Sequence, residues 1–149
     1  MISITSQNSL ISGERQYRCA LGKSGVTNKK REGDGATPAG LFPMLRVLFR
    51  PDRVTSPKTK LPVIELKQND GWCDDPTHVD YNSHINLPHN ASHEVLWRED
   101  RIYDIIVVLG YNTSPIIPFR GSAIFLHCAT PSYETTDGCI ALNLSLIHI

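Results

Sequence analysis

The chain lacks an excess of either charge. Its 149 residues carry 15 Lys and Arg against 15 Asp and Glu, so the formal net charge is zero. A general nucleic-acid binder would show a basic surplus, and none is present. No apolar run approaches the ~18 residues that a membrane-spanning helix needs, so no span is expected. The opening residues, MISITSQN, lack a basic stretch leading into an apolar core, so no export signal is legible. There is no internal repeat and no low-complexity tract. With 40% hydrophobic residues the chain is too apolar to be disordered, and its length suits one domain with a real core.

Metal and disulfide frameworks are equally scarce. Cys19, Cys73, Cys128 and Cys139 include no CxxC pair, so neither a zinc site nor a redox dithiol is indicated. Free thiols are expected. Cys19 and Cys128 sit in strand-like apolar runs and read as small buried hydrophobes. His78, His84, His89 and His93 lie in or near polar loop and read as solvated or turn residues.

The ten Gly and ten Pro residues cut the sequence into short segments. Arg15 to Leu21 alternates, with Tyr17, Cys19 and Leu21 on one face. Asn28 to Gly40 is a long polar loop. Leu41 to Arg50 favours strand, with Pro43 marking an edge. Leu61 to Leu66 is a short strand. Asn69 to His89 reads as a dense loop with Trp72 and Tyr81 embedded. Ser92 to Asp100 predicts one or two helical turns capped by Ser92, with Val95 and Leu96 inward. Ile102 to Gly110 is a β-branched run suited to a strand buried on both faces. Tyr111 to Gly121 is a Pro-rich loop, Ser122 to His127 a strand, and Cys139 to Leu142 begins another apolar segment. The expected fold is a mainly β single domain, sandwich-like, with long loops and little helix.

Chemistry concentrates in GSAIFLHCATPSYETTDGCIALN, residues 121–143. A buried strand ends at His127, a polar loop follows, and Cys139 comes directly after Gly138. A loop of this length can return Cys139 beside the strand end. A thiolate attacks acyl groups, and a neighbouring imidazole favours thiolate formation and can protonate a leaving amine. Gly138 permits close approach of substrate, and the Gly138 and Cys139 amides are candidate oxyanion donors. The second ring nitrogen of His127 needs an acceptor, for which a backbone carbonyl in the following loop would serve. His127 and Cys128 point to opposite faces of a strand and cannot easily share a metal.

The order His, loop, Thr-Asp-Gly-Cys-Ile-Ala-Leu resembles the L,D-transpeptidase catalytic domain, the YkuD-like family. Lys30 to Phe42, containing Thr37-Pro38-Ala39-Gly40, is similar to that family's Thr-Pro-x-Gly-x-Phe loop. Gly71-Trp72-Cys73-Asp74-Asp75-Pro76 and Leu109-Gly110-Tyr111-Asn112 resemble motifs of a small single-domain branch. The resemblance runs from about residue 18 to residue 143 and implies a sandwich-like fold and acyl transfer on bacterial peptidoglycan stem peptides. It makes Cys139 the nucleophile and His127 the base and acid, with Gly138 in the oxyanion region. Thr37, Trp72, Asp74, Asp75 and Asp137 become candidates for the substrate cleft, and no metal or organic cofactor is implied. A tetrapeptide stem would lose its terminal D-alanine to form a thioester. A neighbouring stem's amine would then make the cross-link, or water would give carboxypeptidase action. Such a substrate lies in the periplasm or cell wall. The oligomeric state is open.

Two positions depart from the family's common pattern. Asp137 stands where His is usual, and an anion there raises a thiol pKa. Ala141 stands where Arg often grips a substrate carboxylate. Lys29, Lys30, Arg31 and Arg98 are the replacement candidates. Sortases resemble a pattern with a far longer His-to-Cys separation and a later Arg, and papain-like and NlpC-type hydrolases place Cys before His. A non-catalytic wall-binding module on the same fold is the alternative from another class. The ending, residues 144–149 (LSLIHI), resembles the translation of a transposon end used in sequencing-library preparation. The catalytic domain is therefore expected to span residues 1–143, cut short at its C-terminus, with a non-native tail.

Overall fold

A computed structural model describes residues 1–147. In chain order the strands are β1 (Ile2–Thr5), β2 (Ser9–Ser12), β3 (Arg15–Arg18), β4 (Val26–Thr27), β5 (Thr37–Pro38), β6 (Met44–Phe49) and β7 (Val63–Glu65). They continue with β8 (Asp70–Cys73), β9 (His84–Asn86), β10 (His93–Val95), β11 (Ile105–Leu109), β12 (Phe125–Cys128) and β13 (Ile140–Leu142). A four-residue helix, α1 (Leu144–Ile147), follows. It is capped by the Asn143 side chain, which accepts the Ser145 amide. Residues 148–149, the end of the suspected tail, lie outside the described residues.

The β-branched run forms the middle of the molecule, as expected. β11 is central in a five-stranded sheet ordered β13-β12-β11-β6-β7. Its alternation splits the core in two. Ile105 and Val107 point into one apolar cluster, Ile106 and Val108 into the other. The first cluster is covered by the β1-β2-β3 meander through Leu10, with Tyr17 and α1 packed against it. The second is covered by the β10-β8-β9 sheet through Trp72 and by Leu96. The result is a mainly β sandwich.

Tyr17, Cys19 and Leu21 do share one face, although the strand ends at Arg18. Three local expectations are corrected. Asn69 to His89 is not one loop, because β8 and β9 pair as antiparallel strands with Trp72 opposite His84. Ser92 to Asp100 is not helical. Its first residues pair with β8, with Glu94 opposite Trp72, and Val95 faces solvent while Leu96 is buried. Adjacent residues on opposite faces are what a strand produces and a helical turn does not. Pro43 does not mark a sheet edge. β6 lies inside the sheet and begins just after it, while the Pro43 carbonyl accepts the Gly110 amide at 2.8 Å. The missing N–H therefore falls outside the ladder.

Candidate active site

β12 and β13 pair in parallel, with His127 opposite Ala141 and Leu126 opposite Ile140. Cys139 precedes β13 by one residue. It therefore falls on the same side as His127, one step back along the sheet, because side chains alternate with period two. Both line a cavity of about 610 Å³. Both are nearly covered by protein, at 8% and 4% exposure.

The loop that delivers Cys139 is latched from below. Thr136 donates its amide to the Leu21 carbonyl, and its carbonyl accepts the Lys23 amide. Its hydroxyl donates to the Cys139 carbonyl at 2.7 Å and accepts the Gly138 amide at 3.1 Å. Gly22, beside Thr136, donates to the Thr37 hydroxyl. Thr37 is buried, off the cavity wall, and so supports the Cys139 loop through Gly22 and Thr136. Gly138 has φ of +144°, and a Cβ there would lie 2.8 Å from the Ala36 carbonyl oxygen. Only glycine fits between this loop and the Thr-Pro loop. The Gly138 amide is taken by Thr136, so it is not a free oxyanion donor in this arrangement.

The Cys139 thiol donates to the Ala123 carbonyl at 3.1 Å, and its sulfur accepts the Phe125 amide at 3.3 Å. Burial pushes the thiol well up, and the carboxylates of Glu94 and Asp137 add to that. Burial also pushes the His127 imidazole down. The pair therefore rests as neutral thiol and neutral imidazole, not as an ion pair. His127 Nδ1 lies 2.9 Å from the Cys128 carbonyl, which fixes the proton on Nδ1 and leaves Nε2 as the basic atom. The expected orienting carbonyl is thus the next residue's own.

A model of the YkuD family, the L,D-transpeptidase catalytic domain, matches residues 1–145. The chain belongs to this family. No curated protein and no solved structure gives a match.

Against the L,D-transpeptidase pattern, the two departures have visible consequences. Ala141 is buried beside His127, so no cation stands there. Of the four replacement candidates, Lys30 and Arg98 reach the cavity wall, and Lys29 and Arg31 do not. Both wall cations are already matched. Lys30 pairs with Asp34, and Arg98 with Asp100. Asp137 lines the cavity and pairs with exposed Lys23 at 3.1 Å. Asp74 lines it too, accepting the Ser92 hydroxyl at 2.6 Å. Trp72 does not line the cavity. It is core, edge-on to Phe125 at 4.9 Å, with its indole N–H on Asn82. Aromatic bulk drove it inward, where Asn82 satisfies its one polar atom. Asp75 makes a local turn with Thr77.

Sequence reasoning passed over Glu94 and Tyr103, which both face the cavity. Tyr103 donates its hydroxyl to Glu94 at 3.0 Å, and its ring meets the His127 imidazole edge-to-face at 5.2 Å. No motif marks them: Glu94 falls in the segment expected to form helical turns, and Tyr103 in the β-branched run. Among the described residues, His78, Asp80 and His89 come close enough to hold a metal ion. Their hydrogen bonds already account for the grouping. Asp80 bonds His89 Nε2 at 3.0 Å, and the two Nδ1 atoms accept the amides of Asp80 and Ala91. All four cysteines are free and buried.

Proposed function

We propose that this chain is a cysteine-dependent acyl transferase acting on peptidoglycan stem peptides, outside the cytoplasmic membrane. One observation carries the reading. In a domain of the L,D-transpeptidase family, His127 on β12 and Cys139, directly before the parallel strand β13, line one cavity. His127 Nε2 takes the thiol proton as the sulfur leaves the Ala123 carbonyl and attacks the acyl carbon ahead of the terminal D-alanine. The C–N bond breaks, the imidazolium protonates the departing amine, and a thioester remains on Cys139. The Cys139 amide supplies the oxyanion donor, and one such donor is worth ~3–4 kcal/mol in the transition state. An amine of a second stem then attacks, the C–S bond breaks, and the thiol regains its proton. Water in place of the amine gives carboxypeptidase action. These residues require no cofactor for the sequence of steps.

The neutral resting pair fits a nucleophile unmasked by substrate, since a thiolate is not held in advance. Exposure to a carbapenem followed by mass spectrometry tests the reading. The wild type is expected to gain one covalent adduct, and Cys139→Ala none. An unmodified wild type would favour a non-catalytic wall-binding module on the same fold.

A further inference from the structure

We propose that Glu94 is the residue that receives the acceptor amine, taking the ammonium group's proton as that amine attacks the thioester. This rests on the transferase reading above and assigns a residue to its second half. Glu94 sits on β10 and opens on the same cavity as Cys139 and His127. One carboxylate oxygen is held by the Tyr103 hydroxyl at 3.0 Å. The other has no hydrogen-bond partner among the described residues, yet no side-chain oxygen is both fully buried and unpartnered. That oxygen therefore keeps some solvent contact, on a residue that lines the cavity.

The surroundings leave its charge unanswered. The wall cations Lys30 and Arg98 are each paired with another carboxylate, Asp34 and Asp100. Glu32, also on the wall, is satisfied by the hydroxyls of Tyr81 and Ser122. Glu94 has one neutral hydroxyl and nothing cationic bonded to it. A carboxylate in this position, near a thioester on Cys139, fits a primary ammonium. Burial raises Glu94 to about 7, with Asp74 and Asp137 adding to the rise and Tyr103 and Arg98 opposing it. A group with that balance exchanges a proton near neutrality.

The step balances. The ammonium gives one proton to Glu94, and the free amine attacks the thioester carbonyl. The C–N bond forms as the C–S bond breaks. The second amine proton passes through His127 to the thiolate, and Glu94 releases its proton to solvent.

The test compares two nucleophiles on the acyl-enzyme formed from a tetrapeptide stem. One is the side-chain amine of Nα-acetyl-lysine, an ammonium in water, and the other is hydroxylamine, which is largely neutral. Glu94→Gln is expected to cut transfer to acetyl-lysine at least tenfold relative to hydroxylamine and to raise the half-saturating amine concentration. Glu94→Asp is expected to recover part of the loss and covers the case in which the Gln variant fails to fold. An equal loss with both nucleophiles, or no loss, overturns the inference alone. No acyl-enzyme in the wild type overturns the transferase reading and this inference with it.

Discussion

A thiol raised by burial is a poor nucleophile at neutral pH until something takes its proton. Cys139 has that handicap, and among the described residues His127 is the one imidazole lining its cavity. The pair's reactivity should therefore show in alkylation by iodoacetamide. The wild-type rate is expected to climb from about pH 6 to about pH 9 without levelling off near neutrality, because thiolate accumulates only above the raised pKa. His127→Ala is expected to lower the rate near neutral pH. An unchanged rate would remove His127 as the activating base. Burial holds the imidazole below its usual value, which favours the neutral form that can accept the thiol proton.

At the level of elements, the Gly138 turn and the parallel β12–β13 pair set where the thiol points. Gly138→Ala meets the Ala36 carbonyl and a φ that L-residues rarely adopt. It is expected to cost about 1–3 kcal/mol of strain if the backbone holds. If the backbone shifts, Cys139 moves, and the carbapenem adduct should form at least tenfold more slowly. Full reactivity would show that the loop tolerates a side chain. This element was legible in the sequence because Thr-Asp-Gly-Cys after a strand-ending His is a local pattern. β11 was legible because a β-branched run has one good home. β8, β9 and β10 were not. They are short, mix His, Asp and Trp with Gly, and gain strand character only from pairing with each other. Asp74 and Asp137 were legible from the motifs, but Glu94 was not, for the same reason. Glu94 faces the site because β10 is a strand, and a helical reading turns it elsewhere.

For the whole molecule, the central sheet is protected on both faces by segments distant in sequence. The N-terminal meander closes one face through Leu10, which also borders an apolar cavity of about 350 Å³ near α1. Leu10→Ala is expected to destabilise the fold by about 2–3 kcal/mol, in the lower part of the usual range because its neighbours already have room. Urea denaturation measures this directly. The alkylation rate of Cys139 should be unchanged in the folded variant, since Leu10 packs in the cluster away from the thiol. Electrostatics also changes meaning at this scale. A net charge of zero says nothing of the cavity, where carboxylates outnumber cations six to two.

The bridge between Ala20 and Ala141 sets a parity. The two residues exchange both backbone hydrogen bonds, at 2.8 and 2.9 Å. Along a strand, odd and even positions face opposite sides, so a slip of one residue inverts every assignment. In β13 such a slip would send Cys139 into apolar packing and offer Ile140 to the substrate, leaving the composition and most of the buried area unchanged. Ala20 therefore checks which of two readings the last strand takes, before any chemistry begins. On the transferase reading, a chain folded with the other parity would present no thiol to the cavity.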